Sequence, residues 1–401
     1  MGAYLDTPIT QKHTETGSGH DNTRFAVSSM QGWRRNMEDD HVTIPDIAKT
    51  AAGLPISVYA VFDGHGGAEV AKFAHKYYPQ ILTNCDSFKT GDYKQAMVHA
   101  FQRIDEMLET PYYQLELKVL LGQASNKDLA EMLQRRPTSR DITPRPTNVP
   151  IGVSLGTTNS NKQLLKRGDA GVSRAQKAQQ EKLKEMMLMK RMAQGGRVAA
   201  GGGALGDRRV CELEDHSVSA GCTAVAVLHV GHHLVTANCG DSRAIVGCSN
   251  NQVVPLSFDH KPVDDIERNR IVAAGGFLTE AQGHFRINGN LNLSRSLGDM
   301  KYKQNLEKSP AEQMLTANPD VTVHELTPED EFMIVACDGV WDVLSNEEAV
   351  RFVRERLVQG QTPASICEQV FERCIADNPR ETRGIGGDNM TCLIVQFKES
   401  K

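Results

Sequence analysis

Three aspartates share one local pattern, each at the border between an apolar run and a glycine-containing turn. Asp63 follows the run SVYAVF and precedes Gly64, and Asp338 follows FMIVAC and precedes Gly339. Asp388 follows two glycines and precedes a further apolar run. A buried strand that ends in this way places its carboxylate at a sheet edge, where glycine leaves the backbone accessible. The pattern therefore predicts carboxylates that converge on one site.

The acidic residues around these aspartates predict a metal site. Carboxylates that converge repel one another unless a cation neutralises them. Nearby motifs extend the set to Glu38, Asp39, Asp40 and Asp241. These side chains offer oxygen ligands without an added His or Cys cluster, which is the donor chemistry of Mg²⁺ or Mn²⁺. One Asp-Gly pair is usually a simple turn, so this interpretation depends on the repetition.

A basic pair stands directly before one acidic cluster. Residues 34–41 read Arg-Arg-Asn-Met-Glu-Asp-Asp-His. An arginine fork can hold two phosphate oxygens while metal ions hold the others, so Arg34 beside carboxylates favours phosphate chemistry. The alternative interpretation of the same run is an ordinary solvated charged surface.

The elements that would position these residues are mostly strands. Apolar runs predict strands over 57–62, 223–228, 234–238, 332–337 and 392–397. Periodic apolar residues predict helices over 94–109 and 363–376, and Ser345 with Glu348 forms a capping box before a third. Long alternation of strand and helix is lacking. The sequence therefore predicts an α+β fold with mostly antiparallel sheets.

Composition and charge exclude some classes of protein. The chain has 401 residues and a net charge of −5. Its longest apolar runs are about six residues, whereas a membrane-spanning helix needs roughly 20. No secretory signal is recognisable at the N-terminus. The nine cysteines form no CxxC pair, which favours a reducing compartment, in the cytoplasm or nucleus or both.

The charge is unevenly distributed along the chain. Residues 135–209 contain 16 Lys or Arg and 5 Asp or Glu, an excess of eleven positive charges that leaves −16 on the rest. We expect an N-terminal tail over 1–22, a first globular part over 23–117 and a second over 216–401. Residues 118–215, with Pro-rich and Gly-rich stretches, are expected to form a basic and partly disordered insertion.

Eight short motifs occur in an order that resembles a known family, over about residues 21–115 and 216–398. They are GWRRNMED (32–39), VFDGHGG (61–67), GCTAV (221–225), NCGDSR (238–243), DHKP (259–262), LSRSLGD (293–299), ACDGVWD (336–342) and GDNMT (387–391). The set is similar to the metal-dependent serine/threonine protein phosphatases of type 2C. The resemblance implies a four-layer α-β-β-α sandwich, in which helices flank two antiparallel sheets and a two-metal cleft lies at one end.

The resemblance also implies roles for particular residues. Asp63, Asp338 and Asp388 would ligate a first ion, and Glu38, Asp63 and the Gly64 carbonyl a second. Asp241 with Asp338 would form a weaker third site. Arg34 would bind the substrate phosphate, His65 would be the general acid, and Asp39 would orient the attacking water. The implied reaction is hydrolysis of phosphoserine or phosphothreonine by direct attack of a water that bridges two Mg²⁺ or Mn²⁺ ions.

The resemblance also concerns the branch of the family and residues outside the metal site. The start MGAYLDTP and the position of the insertion resemble the gamma branch of the family, whose insertion is acidic, so its role does not transfer to this basic one. Gly2 would be an acylation site giving reversible membrane contact, although Asp6 departs from the strict pattern. Residues 263–290 correspond to a mobile flap. His260 and Arg295 are interpreted as structural.

Several partners and functions remain open at this point. Phosphoserine and phosphothreonine proteins are the expected substrates. The basic insertion is compatible with binding of acidic partners or of the protein's own acidic body. The lack of interleaved aromatic residues disfavours nucleic acid. A non-catalytic scaffold of the same fold is the main alternative, disfavoured because all the metal-site carboxylates are present. A nuclease is disfavoured by the ordered motifs.

Overall fold

Two antiparallel β-sheets form the centre of the protein, in a computed structural model that describes residues 4–20, 23–134, 218–281 and 283–397. The first sheet has the order β1-β2-β14-β13-β7-β8. The second has the order β12-β6-β5-β4-β3, with β11 paired to the start of β5. The strands are β1 (Ile9–Ser18), β2 (Arg24–Gly32), β3 (Asp40–Lys49), β4 (Pro55–His65), β5 (Gly221–Val230), β6 (His233–Cys239), β7 (Arg243–Cys248), β8 (Val253–Pro255), β9 (Leu278–Ala281), β10 (His284–Ile287), β11 (Leu297–Gly298), β12 (Asp320–Glu325), β13 (Asp330–Ala336) and β14 (Met390–Gln396).

Helices cover the outer faces of both sheets. They are α1 (Glu69–Asn84), α2 (Asp86–Lys89), α3 (Tyr93–Leu108), α4 (Pro111–Leu120), α5 (Asn126–Gln134), α6 (Asp265–Ala273), α7 (Asp338–Trp341), α8 (Asn346–Val358) and α9 (Pro363–Cys374). Short 3₁₀ turns lie at Met300–Tyr302 and Pro310–Glu312. The pair β9-β10 forms a separate hairpin.

Three apolar cores define the layers. The core between the two sheets includes Val27, Val61 and Val335. Helices α1 and α3 pack on the second sheet through residues such as Phe73 and Phe101, and α8 and α9 pack on the first. Because each sheet is covered on both faces, its central strands are apolar throughout rather than alternating. The expected α+β, four-layer α-β-β-α sandwich is confirmed.

The predicted strands and helices that lead to the acidic residues are also confirmed. The run before Asp63 lies in β4, and the run before Asp338 lies in β13. The capping box before α8 is present, with the Ser345 amide donating to the Glu348 carboxylate at 3.0 Å and the Glu348 amide donating to the Ser345 hydroxyl at 3.2 Å. Local sequence signals thus position the strands that carry the acidic residues.

The N-terminal region differs from the expectation of a tail over 1–22. Residues Ile9–Ser18 form strand β1, which pairs antiparallel with β2. The strand lacks an apolar alternation because it lies at a sheet edge with much of its surface exposed, and backbone hydrogen bonds hold it.

The start of the expected insertion also differs. Helix α4 continues to Leu120, and α5 follows at Asn126–Gln134 after a short turn, so the chain between 118 and 134 is mostly helical. Leu117 of α4 is buried in the core beside α1. The rest of the basic segment, residues 135–217, lies outside the described residues. No helix in the described part of the chain is long and apolar enough to cross a membrane.

Candidate active site

The strand ends and the turns beside them deliver four of the predicted aspartates, and Glu38, to one cleft of about 310 Å³. Asp63 stands near the end of β4, Asp241 in the turn between β6 and β7, Asp338 directly after β13 and Asp388 just before β14. The predicted residues that line the cleft are Arg34, Glu38, Asp63, Gly64, His65, Asp241, Asp338 and Asp388. Residues 291–293, directly after the expected flap, line it as well.

The glycines of the two Asp-Gly pairs allow backbone segments to approach closely. A Cβ atom at Gly64 would lie 2.1 Å from the Glu38 carbonyl oxygen, and one at Gly339 would lie 2.0 Å from the Asn389 carbonyl oxygen. Real Cβ contacts are never this short, so any side chain here would push the segments apart. Gly64 therefore lets the segment that carries Glu38 lie against Asp63. Gly339 lets the segment that carries Asp388 lie against Asp338.

Burial, and after it mutual repulsion, dominates the electrostatics of the carboxylates. Burial and the neighbouring charges of Asp338, Asp39, Asp388 and Asp241 all raise the pKa of Asp63 well above its ordinary value. Burial and the same kind of acidic neighbours raise the pKa of Asp338. Such a cluster favours protons or bound cations over bare carboxylates.

Asp39 does not line the cleft but lies buried directly behind it. The Thr391 hydroxyl donates to Asp39 Oδ2 at 2.7 Å. Asp39 Oδ1 is buried and has no hydrogen-bond partner among the described residues. Burial raises the pKa of Asp39 to about 7, reinforced by Asp388 and opposed by the hydrogen bond from Thr391.

Two basic side chains pair with two of the carboxylates. Arg34 forms an ion pair with Asp388, and its buried Nε atom has no partner among the described residues. Burial lowers the pKa of Arg34, but the charges of Asp388, Asp338 and Tyr4 outweigh it and leave the pKa raised. Lys261 Nζ lies 2.7 Å from Asp241 Oδ2, so the predicted ligand of the third ion is neutralised by an ammonium group.

His65 has a partner that the sequence analysis missed. His65 Nε2 lies 2.6 Å from Asp299 Oδ2, and the Ser296 hydroxyl donates to the same oxygen at 2.7 Å. Burial lowers the pKa of His65, but the charge and hydrogen bond of Asp299 outweigh it and raise the pKa. Asp299 and Lys261 both stand in recognised motifs, LSRSLGD and DHKP, which were the only signal in the sequence for their roles.

The residues present fit divalent ions in their donor chemistry. Asp63 and Asp338 are oxygen donors with raised pKa values in a shared cleft, and Asp39 Oδ1 is a buried acceptor without a donor. As placed, however, no three Asp, Glu, His or Cys side chains of the described ranges close into a group that could hold a metal ion.

His260 and Arg295 have the structural role that was expected. His260 is buried, and its Nδ1 accepts a hydrogen bond from the Gly240 amide at 3.2 Å. Arg295 Nη2 lies 2.7 Å from Glu267 Oε1, and its Nη1 lies 2.8 Å from Asp320 Oδ1. These bonds join α6 and β12 to the loop that follows the hairpin.

The fold has counterparts among solved structures. A serine-threonine phosphatase 2C from Toxoplasma gondii superposes with a TM-score of 0.53 at 19% sequence identity, covering 98% of both chains. At this level of identity the likeness establishes the architecture alone. It places the sandwich among phosphatase folds of the 2C type.

Sequence comparison establishes the family. The protein phosphatase 2C family model matches residues 23–119 and 161–382. The protein named Probable protein phosphatase 2C 21 of Arabidopsis thaliana is 35% identical over 405 residues, covering 100% of this chain and 93% of the relative. Protein phosphatase 2C homolog 2 of Schizosaccharomyces pombe is 33% identical, covering 99% of this chain and 79% of the relative. The chain therefore belongs to the protein phosphatase 2C family, and it is an enzyme of the serine/threonine protein phosphatase class, which acts on phosphoproteins.

Proposed function

We propose that this chain hydrolyses phosphoserine and phosphothreonine in proteins by direct attack of a water on the phosphorus atom, with two Mg²⁺ or Mn²⁺ ions. The observation that carries the proposal is the shared cleft, which brings acidic ligands, an arginine and a histidine together. These are the groups that phosphoryl transfer to water needs: a metal site, a phosphate-binding cation and a proton donor.

Six residues would hold the ions. They are Glu38, Asp63, Gly64 through its carbonyl, Asp241, Asp338 and Asp388. When bound, divalent ions lower the pKa of a water and neutralise charge on the phosphate. The family in general depends on Mg²⁺ or Mn²⁺. That two ions bind, and that a weaker third ion binds at Asp241 and Asp338, are parts of the proposal. The third ion would compete with Lys261 for Asp241.

Three further polar residues would bind the phosphate, donate a proton and orient the water. Arg34, which lines the cleft, would hold the phosphate with the planar fork of its guanidinium group. His65, with its raised pKa, gives a proton to the serine or threonine oxygen as that oxygen leaves. Asp39, behind the cleft, would orient the attacking water through Oδ1, while the Thr391 hydroxyl holds its Oδ2 at 2.7 Å.

A non-catalytic phosphoprotein-binding scaffold is the alternative. Loss of the acidic ligands would favour it, but each predicted ligand is present and lies at the cleft. A scaffold also has no need for the bond between His65 and Asp299. The enzymatic proposal is therefore preferred.

The finer organisation of the chain is proposed on sequence grounds. The chain would belong to the gamma branch, with the phosphatase domain in two parts around the basic insertion. The first part extends beyond the expected 23–117 to include β1 and the end of α4, and the second covers 216–401. The insertion would bind acidic partners or the acidic body of the protein. We propose an intracellular location, cytoplasmic or nuclear, since the eight described cysteines are buried and unpaired. Acylation of Gly2 would add reversible membrane contact.

The test is phosphate release from a phosphothreonine peptide by the full chain. The proposal predicts release that requires Mn²⁺ or Mg²⁺, stops with EDTA and returns with excess metal. A DNA and an RNA substrate, incubated in parallel, should stay intact. Tight binding of the phosphopeptide without release, in the presence of metal, would support the scaffold instead.

A further inference from the structure

The residues before β1 lie against one wall of the cleft. The Leu5 amide donates a hydrogen bond to the Trp33 carbonyl oxygen at 2.9 Å. Trp33 Nε1 in turn donates to the Ala376 carbonyl oxygen at 2.8 Å. The N-terminal residues are thereby joined to the segment that carries Arg34 and to the loop after α9.

The ring of Tyr4 lies across two glycines of that loop. A Cβ atom at Gly384 would lie 3.1 Å from the Tyr4 hydroxyl oxygen, and one at Gly387 would lie 3.1 Å from Tyr4 Cε1. Both distances are shorter than ordinary van der Waals contact, so the ring occupies the space of the missing side chains. Gly387 directly precedes Asp388, which pairs with Arg34.

The glycine arm formed by residues 384–387 is packed between the Tyr4 ring and the loop's own residues Pro379 and Ala376. A Cβ atom at Gly387 would lie 2.7 Å from Pro379 Cβ, and one at Gly386 would lie 3.1 Å from Ala376 Cβ. Gly384 and Gly386 have φ values of +100° and +73°, and glycine has more backbone freedom than any other residue. Its hydrogen bonds stay within the loop after α9: the Gly387 amide donates to the Gly384 carbonyl oxygen at 3.0 Å, the Gly384 amide to the Pro379 carbonyl oxygen at 2.7 Å, and the Ala376 amide to the Gly386 carbonyl oxygen at 2.9 Å. Tyr4 is therefore the contact that joins this loop to the N-terminal segment. Residues 380–383, directly before the arm, are exposed.

We propose that Tyr4 is a positioning residue of the active site, whose ring clamps the glycine arm and so fixes Asp388 and its partner Arg34. The N-terminal segment is then part of the catalytic apparatus. Loss or displacement of that segment would loosen one metal ligand and the phosphate-binding arginine together. The expected weakening of metal and phosphate binding rests on the proposed function, whereas the contact between Tyr4 and the glycine arm does not.

The first test is hydrogen–deuterium exchange of the full chain in EDTA. We expect Tyr4→Ala to speed exchange of the amides of residues 384–388 by about tenfold, because the arm opens more often. Tyr4→Phe keeps the ring and should exchange at the wild-type rate. Thr7→Ala, at an exposed position, is the matched control. Unchanged exchange in Tyr4→Ala, or an equal increase in Tyr4→Phe, would overturn the clamp.

The second test measures Mn²⁺ affinity by calorimetry, which needs no turnover. Removal of residues that support ligands typically weakens metal affinity by 10- to 100-fold, so Tyr4→Ala should bind Mn²⁺ about tenfold more weakly, with wild-type affinity in Tyr4→Phe. A lower melting temperature of Tyr4→Ala with unchanged Mn²⁺ affinity would show that Tyr4 stabilises the fold without positioning the metal ligand. If the wild type bound no Mn²⁺ while the exchange difference was present, the proposed function would fail and the clamp would remain.

Discussion

His65 Nε2 lies 2.6 Å from Asp299 Oδ2, although the two residues are 234 positions apart in the chain. Asp299 is almost fully buried and has a left-handed backbone, with φ of 50° and ψ of 40°. A Cβ atom at Gly221 would lie 2.1 Å from Asp299 Oδ2 and 2.7 Å from His65 Nε2, so the pair rests directly on that glycine. Strained backbone of this kind is retained where the surroundings require it. The arrangement fixes the ring of His65 relative to the cleft.

Replacement of Asp299 should impair the proton-donating step. In Asp299→Asn the imidazole loses the charge that raises its pKa and the acceptor that orients it. A positioned general acid contributes about 10²- to 10⁴-fold, so we expect kcat on a phosphoserine peptide to fall by roughly 10²-fold. Hydrolysis of p-nitrophenyl phosphate, whose leaving group needs no proton, should fall much less. The measurement is kcat and KM on both substrates.

Asp265→Asn is the control for that experiment, because Asp265 is exposed and pairs with the nearby Arg268 on the same helix. It should keep wild-type kcat on both substrates. Equal losses on the two substrates in Asp299→Asn would contradict a role in leaving-group protonation.

Replacement of Arg34 by lysine should weaken phosphate binding while the charge is kept. Lysine cannot supply the two parallel bonds of the guanidinium fork. A hydrogen bond to a charged group contributes about 1.5–3 kcal/mol, so Arg34→Lys should raise KM for a phosphopeptide at least about tenfold. Arg268→Lys, on the exposed face of α6, should leave KM unchanged. Wild-type KM in Arg34→Lys would remove Arg34 from the phosphate site.

Burial of Asp39 should make stability depend on pH in the absence of metal. The pKa of this carboxyl is raised from 3.8 to about 7, so the folded protein binds a proton more tightly than the unfolded chain. Stability in EDTA should therefore decrease as pH rises from about 4 to about 7. Urea unfolding of Asp39→Asn should show a shallower decrease over this window. An identical pH profile in the two proteins would exclude the effect.

Glu267 should act in the opposite direction at acid pH. Burial alone would raise its pKa, but hydrogen bonds from Arg295 and Arg270 lower it from 4.5 to about 2. The contribution of this pair of bonds to stability is then complete above pH 4.5 and lost as pH falls towards 2. Glu267→Gln removes the carboxylate that Arg270 and Arg295 share, although Arg295 keeps its ion pair with Asp320. The change should cost about 3 kcal/mol at pH 7, the lower end for a broken buried pair. The difference from wild type should shrink below pH 4; a constant difference would contradict the assignment.

The strands and their terminal carboxylates could be predicted from the sequence because both signals are local. An apolar run followed by Asp-Gly specifies a strand end, and the structure places Asp63 and Asp338 there. That the two carboxylates share one site could be predicted only from the repetition of the pattern and from the family resemblance. Strand β1 was missed because an edge strand held by backbone bonds carries no apolar alternation.

The pairings inside the site could not be predicted, because they join residues far apart in sequence. Asp299 meets His65 only after β11 has paired with the start of β5. Lys261 reaches Asp241 because His260 is bonded to Gly240, which aligns two loops. Motif membership marked Asp299 and Lys261 without indicating their partners.

The central claim is that carboxylates at the strand ends hold the metal ions for phosphate hydrolysis. The most direct measurement is Mn²⁺-dependent phosphate release from a phosphothreonine peptide by wild type, Asp338→Asn and the exposed control Asp86→Asn. The account predicts that Asp338→Asn stays folded, with a melting temperature in EDTA at or above that of wild type because repulsion is relieved, and loses the Mn²⁺-dependent activity. Asp86→Asn should retain full activity. Wild-type rates in Asp338→Asn at every Mn²⁺ concentration would contradict the account.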